Sequence, residues 1–252
     1  MDASYGTLYR TLYERHWWWR VREHVILDTL QVHRPPSGWS DVLDIGCGDG
    51  LFFDRLAEMP GVRVVEGVEP DASLVSNLGP HRDRIHVQPF DASFDTGRRY
   101  SLILMLDVLE HMSDPAGALR HAAALLRPGG RVVVTVPAFE ALWTRHDDLN
   151  HHETRYRKRT LEPLVLSSGL EVLESRYFFT WLAAAKLGVR AIEMVTHGRP
   201  KPPRMPPRLI NTILFGASRL EQHVLGRLGI PFGSSLIAVA GWPETGRKTA
   251  PL

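Results

Sequence analysis

Short apolar runs alternate along the chain with longer segments whose apolar residues recur every three or four positions. The runs read as buried strands: Val42–Ile45, Val62–Val68, Ile85–Gln88, Tyr100–Leu106, Arg131–Val136, Leu170–Tyr177 and Ser234–Ala240. Between them, Asp49–Met59, Asp71–Leu78, a helix capped by Asp114-Pro115 and ending at Leu125-Leu126, and Leu161–Ser168 before Gly169 read as helices. Strand and helix taking turns in this way predict an α/β domain, a doubly wound, mostly parallel sheet of seven strands.

Two segments stand outside that alternation. Residues 4–32 read as one helix, with Tyr5, Tyr9, Tyr13 and Trp17 on a single face and His16-Trp17-Trp18-Trp19-Arg20 following. The plainer reading packs the aromatic face on the core. The sharper one makes residues 1–34 a helical lid with His16 or Arg20 turned to a site. The second segment, 178–230, interrupts the domain before its last strand. Phe178–Val195 is apolar except for Lys186, Arg190 and Glu193, and Leu209–Leu228 is amphipathic. Gly198–Arg208 between them holds five prolines and four basic residues without an acid. A helical cap on the domain or on a second subunit is the plainer expectation. An apolar acceptor pocket or a membrane-surface contact is the sharper one. The expected organisation is thus a lid (1–34), a core (35–177), an insertion (178–230) and a last strand with its tail (231–252).

The candidate chemistry gathers first at Asp44-Ile45-Gly46-Cys47-Gly48-Asp49-Gly50. Three glycines at alternate positions after a buried strand predict a tight turn whose bare backbone approaches a ligand. Unpaired amides at a helix start there would favour an anionic group. The dinucleotide fingerprint Gly-x-Gly-x-x-Gly is not matched, which disfavours a nucleotide-dependent oxidoreductase. Glu69 ends the second strand, next to that turn in a doubly wound sheet, where it can accept both hydroxyls of a ribose. Cys47 is the only cysteine, so no intramolecular disulfide forms and a reducing compartment fits. With no basic n-region followed by an apolar core at the start, the expectation is a cytoplasmic protein. The net charge of +2 gives no argument for nucleic acid, and no base-flipping motif follows the fourth strand.

Four features in order, the glycine turn, Glu69, Asp107-Val108-Leu109-Glu110-His111 after the fourth strand and Leu125-Leu126-Arg127-Pro128-Gly129-Gly130 before the fifth, resemble the class I S-adenosylmethionine (SAM) methyltransferases. The likeness is to their ubiquinone-biosynthesis-like small-molecule branch. It implies a Rossmann-like sheet with the last strand antiparallel beside the fifth, and SAM as cofactor. It further implies cofactor binding by Asp44, Gly46, Cys47, Gly48, Glu69 and Pro70, an adenine contact at Asp91 and Ala92, and a face at Asp107 and Val108 shared with the acceptor. The His-Trp-Trp and Arg of the first helix look like the lid of one subgroup.

Beyond the fifth strand, His146–Tyr156 holds His146, Asp147, His151, His152, Arg155 and Tyr156 within eleven residues. A metal site is a rival reading, but zinc asks for rigid spacing and a defined fourth ligand, so no metal is expected. A solvated polar loop is another. The favoured expectation is an acceptor loop that supplies a general base, since histidine suits proton transfer near neutral pH. His146 and His152 rank first as base, then His111, and His16 last, with Asp147 orienting an imidazole. His16, Trp19, Arg20, Arg155 and Tyr156 are the expected acceptor contacts. The function expected is methyl transfer to a small-molecule acceptor, O-methylation favoured, with no nucleic-acid partner. The alternative is a noncatalytic SAM-binding scaffold, because a fold does not guarantee chemistry.

Overall fold

The computed structural model describes residues 10–76, 79–196, 203–226 and 228–243. Seven strands form one sheet: β1 (Asp41–Ile45), β2 (Val64–Val68), β3 (Ile85–His86), β4 (Tyr100–Leu106), β5 (Leu126–Pro137), β6 (Glu171–Phe178) and β7 (Ser235–Gly241). Their spatial order is β3-β2-β1-β4-β5-β7-β6. β1 to β5 run parallel, and β7 lies antiparallel between β5 and β6. The Rossmann-like sheet with its reversed last strand is as expected.

Side chains alternate across this sheet, so each strand feeds two cores. Leu43, Ile45, Ile103, Met105, Val132 and Val134 point to one side, under α3 (Pro115–Leu125) and α5 (Lys158–Leu166). Val42, Leu102, Leu104, Val133 and Val239 point to the other, under α1 (Trp17–Val32) and α2 (Phe53–Ala57). α1 buries Val21, Val25, Ile26 and Leu30 there.

Register decides where the chemistry sits. Ile45 pairs with both Val68 and Met105, so β1, β2 and β4 end at one level. Gly46, Glu69 and Asp107 follow those ends and meet at the point where the strand order reverses, the crevice in which open α/β sheets bind ligands.

Four elements differ from expectation. The helix over 4–32 is broken at His16, whose backbone is extended (φ −75°, ψ 133°). Tyr5 and Tyr9 lie outside the described residues. The break is held from afar by Asn211 of α7 (Arg208–Leu225), which accepts the Trp17 N–H at 2.9 Å and donates to the Arg15 carbonyl at 2.8 Å. One amide thus serves both loose helix ends, which local periodicity does not reveal. The first helix after the glycine turn begins at Phe53 rather than Asp49, because Gly48 and Gly50 take left-handed φ of 55° and 69°. With only five residues in α2 there is no long helix dipole at the turn, and the amides of Gly46, Gly48 and Gly50 already bond the Val68 carbonyl, Glu69 and the Cys47 carbonyl, so they are not the unpaired donors expected. Of the helix expected over Asp71–Leu78 the described part forms a 3₁₀ turn, Ala72–Leu74, and residues 77 and 78 lie outside the described residues. β5 begins five residues early and takes in the Arg127-Pro128-Gly129-Gly130 turn. The insertion folds as α6 (Thr180–Val195) and α7, with α7 packed on α1.

The turn is packed against its neighbours. A Cβ on Gly67 would lie 2.5 Å from Cys47 Sγ and 2.8 Å from Phe53 Cζ. Overpacking of this kind costs about 1–3 kcal/mol. Gly67→Ala is therefore expected to lower stability by that amount in urea unfolding, and adding Cys47→Ala to recover part of it.

Candidate active site

The strand ends, the first turn of α1 and the loop after β5 enclose a cavity of about 960 Å³. Its floor is the glycine turn. Glu69 is buried there, its Oε2 accepting the Gly48 N–H at 2.9 Å and its Oε1 the Asp71 N–H at 3.0 Å. Burial raises its pKa, and the two amides pull the other way. A Cβ on Gly48 would meet no atom within 4 Å, so at this cavity-lining position the bare backbone leaves room for a ligand. Cys47 is buried, and desolvation pushes its thiol pKa far up. It acts as a small filler against Gly67. Asp44 is buried below the turn, and desolvation lifts its pKa to about 7 against the pull of Arg22.

Asp107 ends β4 in a left-handed conformation (φ 59°), a strained backbone for a non-glycine residue. Thr135 and Arg22 hold it: Thr135 Oγ1 donates to Oδ1 at 2.9 Å, and Arg22 pairs with Oδ2 at 2.9 Å. Arg22 also donates to Thr135 Oγ1 and lies over the Trp18 ring. Trp18, Trp19 and Arg22 line the cavity from α1.

The opposite wall is built around Asp147, which has no exposed surface. It lies in the short helix α4 (Arg145–Leu149), where its Oδ2 accepts the Thr144 N–H at 2.9 Å. Arg155 reaches it with two nitrogens, Nε to Oδ1 at 2.9 Å and Nη2 to Oδ2 at 3.0 Å, and gives Nη1 to the Ala138 carbonyl. His152 Nδ1 sits 2.8 Å from Asp147 Oδ1. Burial alone would raise the Asp147 pKa, but the His152 and Arg155 partners outweigh it and hold the carboxyl well below the usual range. An ionised Asp147 only accepts, so His152 Nδ1 carries a proton, and in the neutral ring the lone pair is on Nε2.

The other histidines differ. His146 Nε2 already faces the Asn150 amide at 3.1 Å, and desolvation, then Lys186, lowers its pKa to about 4. His111 stands edge-on to His152 with ring centroids 4.8 Å apart, and desolvation lowers its pKa to about 4. Beside them Glu110 is fully buried, with neither carboxylate oxygen bonded among the described residues. Desolvation, and then Asp107, push its pKa well up. Ligand atoms of Glu110, His111 and His152 lie within 4.8 Å of one another, a set able to hold a cation where the sequence led us to expect none. Lys186 of α6 completes the wall, its pKa brought down to about 8 by desolvation and by Arg155.

Of the expected residues, Gly46, Cys47, Gly48, Glu69, Pro70, Asp107, Val108, His111, His146, His152, Trp19 and Arg155 line this cavity. Asp44 and Asp147 support it from behind. Asp91 and Ala92 lie on the exposed turn after β3, while their neighbour Phe90 is in the lining. His16 is outside the lining, taking the Trp18 N–H on Nδ1. Arg20 stacks on Phe215 of α7, 4.1 Å from the ring centroid. Tyr156 is buried beneath the loop, its hydroxyl donating to the Leu109 carbonyl. Arg22, Trp18, Glu110 and Lys186 were not singled out by sequence. Trp18 and Glu110 lie inside two of the motifs noted, Lys186 is one of three charges on an otherwise apolar helix, and Arg22 left no signal.

The folded His146 holds its proton more weakly than an unfolded histidine, whose pKa is 6.5. The unfolded chain therefore binds more protons between pH 6.5 and 4, and the stability His146 contributes above 6.5 is lost as pH falls through that window. His146→Gln is expected to flatten the decline of Tm from pH 6.5 to 4, as read by circular dichroism.

Residues 11–175 match the family model described as a methyltransferase domain. A ubiquinone biosynthesis O-methyltransferase of Rhodopseudomonas palustris (strain HaA2) is 33% identical over 99 residues, covering 37% of this chain and 38% of the relative. One of Coxiella burnetii (strain Dugway 5J108-111) is 34% identical over 97 residues, covering 36% and 41%. The chain thus spans about two-fifths of the length of these curated relatives. Among solved structures, the fold is shared with a complex between the Haloferax volcanii Trm112 methyltransferase activator and the putative methyltransferase (TM-score 0.60, 20% identity, 96% and 97% coverage). It is shared also with an S-adenosylmethionine-dependent methyltransferase of Clostridium acetobutylicum ATCC 824 (TM-score 0.55, 10% identity, 89% and 92% coverage). With its glycine turn open to the cavity and its sheet in this order, the chain belongs to the class I SAM-dependent methyltransferase family.

Proposed function

We propose that this chain methylates an oxygen of a small-molecule acceptor, with SAM as donor and His152 as base. The observation that carries the reading is the Arg155–Asp147–His152 chain, which enters the same cavity as the glycine turn. Gly46 and Gly48 offer their backbone to the methionine end of the cofactor, and Glu69 accepts from the ribose. The adenine site falls on the turn after β3, with Phe90 as its wall and Asp91 and Ala92 behind. Bound there, the cofactor supplies a methyl group that its sulfonium already makes electrophilic.

What the protein adds is placement and a proton acceptor. Alignment of acceptor and methyl in a site closed by Trp18 and Trp19 can supply about 7–11 kcal/mol. Asp147 fixes the His152 tautomer so that Nε2 takes the acceptor proton, a contribution of about 10²–10⁴-fold. Lys186 presents a positive charge to the oxygen as it becomes anionic. Near pH 7 it keeps its proton, since its pKa is about 8.

A second reading rests on Glu110, a buried carboxyl whose oxygens have no hydrogen-bond partner among the described residues, next to His111 and His152. A divalent cation held by these three would bind the acceptor oxygen and lower its pKa, in place of a base.

Glu69→Ala removes a charged acceptor, which is worth about 1.5–3 kcal/mol. SAM affinity by titration calorimetry is expected to fall at least about tenfold, with NAD not bound by either protein. Unchanged affinity would remove Glu69 from the cofactor site.

His152→Ala is expected to keep SAM affinity and lose about a hundredfold in turnover of a catechol or phenol acceptor. Parallel assays after EDTA decide the second reading: activity that vanishes and returns with Mg²⁺ or Zn²⁺ makes His152 a ligand. SAM binding without turnover of any acceptor would leave a noncatalytic scaffold.

A further inference from the structure

α6 is an amphipathic helix turned inside out. Its three charged residues face the protein. Lys186 lines the cavity, Arg190 donates to the Glu140 carbonyl at 2.8 Å, and Glu193 accepts the Arg145 N–H at 3.0 Å. Its exposed positions are Ala184, Ala185, Leu187, Gly188, Val189, Ala191, Ile192, Met194 and Val195, none of them polar. Ile192 is 62% exposed and Val195 80%. A surface helix ordinarily shows water its polar face.

α7 extends the same surface. Trp181 near the start of α6 donates its N–H to Glu221 and its indole N–H to Ser218, close to the end of α7. While Asn211, Phe215 and Ser218 face α1 and α6, Leu209, Ile213, Leu220 and Val224 share another face and are all more than half exposed. Single apolar side chains on a surface need no explanation, but two helices with apolar outer faces mark an interaction site.

Charge says what covers it. The chain from Thr196 to Leu209 carries Arg199, Lys201, Arg204 and Arg208 and no acid. Arg204 and Arg208 are exposed where α7 begins, beside Leu209. Apolar side chains bordered by arginines fit the interface of an anionic bilayer, which takes the first into its acyl boundary and pairs the second with headgroups. No helix among the described residues is long and apolar enough to cross a membrane, so the contact is superficial. We propose that α6 and α7 dock this protein on an anionic membrane surface. The helix that would lie on the lipid also supplies Lys186 to the cavity wall, so an apolar acceptor would reach the site from the bilayer. The docking itself does not depend on which acceptor is methylated.

Flotation with vesicles of phosphatidylcholine alone, or with one-third phosphatidylglycerol, tests this. The protein is expected to float with the anionic vesicles, and to bind the neutral ones more weakly by about tenfold or more. Ile192→Glu/Val195→Glu and Arg204→Glu/Arg208→Glu are each expected to reduce anionic binding by a similar factor. These side chains are outside the cavity, so Tm is expected to hold. If the glutamate pair unfolds the chain, Ile192→Ser/Val195→Ser replaces it. Absence of flotation, equal binding to both vesicles, or binding that neither variant pair weakens would overturn the proposal. So would a dimer in sedimentation velocity that the same variants dissociate, for then a second copy covers the face.

Discussion

A carboxylate cut off from water organises the cavity wall that follows β5. Asp147 has no exposed surface and therefore depends on its partners for every interaction that solvent would have supplied. Arg155 meets it with two nitrogens, the Thr144 N–H donates to it at the start of the helix, and His152 takes the remaining edge. Removing one partner of such a buried pair costs about 3–5 kcal/mol, since the other charge is left uncompensated. Arg155 also holds the carbonyl of Ala138, just past β5. The loop is thus fastened to the sheet through its own chemistry, and the His152 ring inherits the rigidity of the strand.

Across the cavity a different constraint operates. Asp107 keeps a left-handed backbone that only surrounding contacts can sustain, here Thr135 from β5 and Arg22 from α1. Glu69 joins the end of β2 to the glycine turn through the Gly48 amide. Strand register brings both acids to the same level, and neither depends on a long helix at the turn.

Much of this was legible in the chain. Tyr100–Leu106 is a strand over the residues its apolar run marks out, because a strand buried on both faces is apolar throughout. The glycine turn and the acid after β2 are short-range signals, and position in a doubly wound sheet relates them. The loop could be recognised by its density of ionisable residues, but not its pairing. That Asp147 turns to His152 and not His146 follows from α4, a five-residue helix that no periodicity announces. Arg22 and Lys186 reach the cavity from opposite ends of the chain. Their roles come from packing that sequence spacing does not encode. The break at His16 was hidden for the same reason, as its stabilising amide is 195 residues away (211 − 16).

That amide has a mechanical consequence. Asn211 bonds the last carbonyl before the break and the first amide after it, so the two helical pieces are joined by a splint carried on α7. Withdrawing α7 would strip both groups at once, together with the bonds that its Glu221 and Ser218 accept from Trp181, the residue whose ring lies against Trp17. The start of α1 and the outer helix pair are accordingly tied to one another. A push on the outside of α7 therefore bears on the break at His16, from which Trp18 and Trp19 run into the cavity lining.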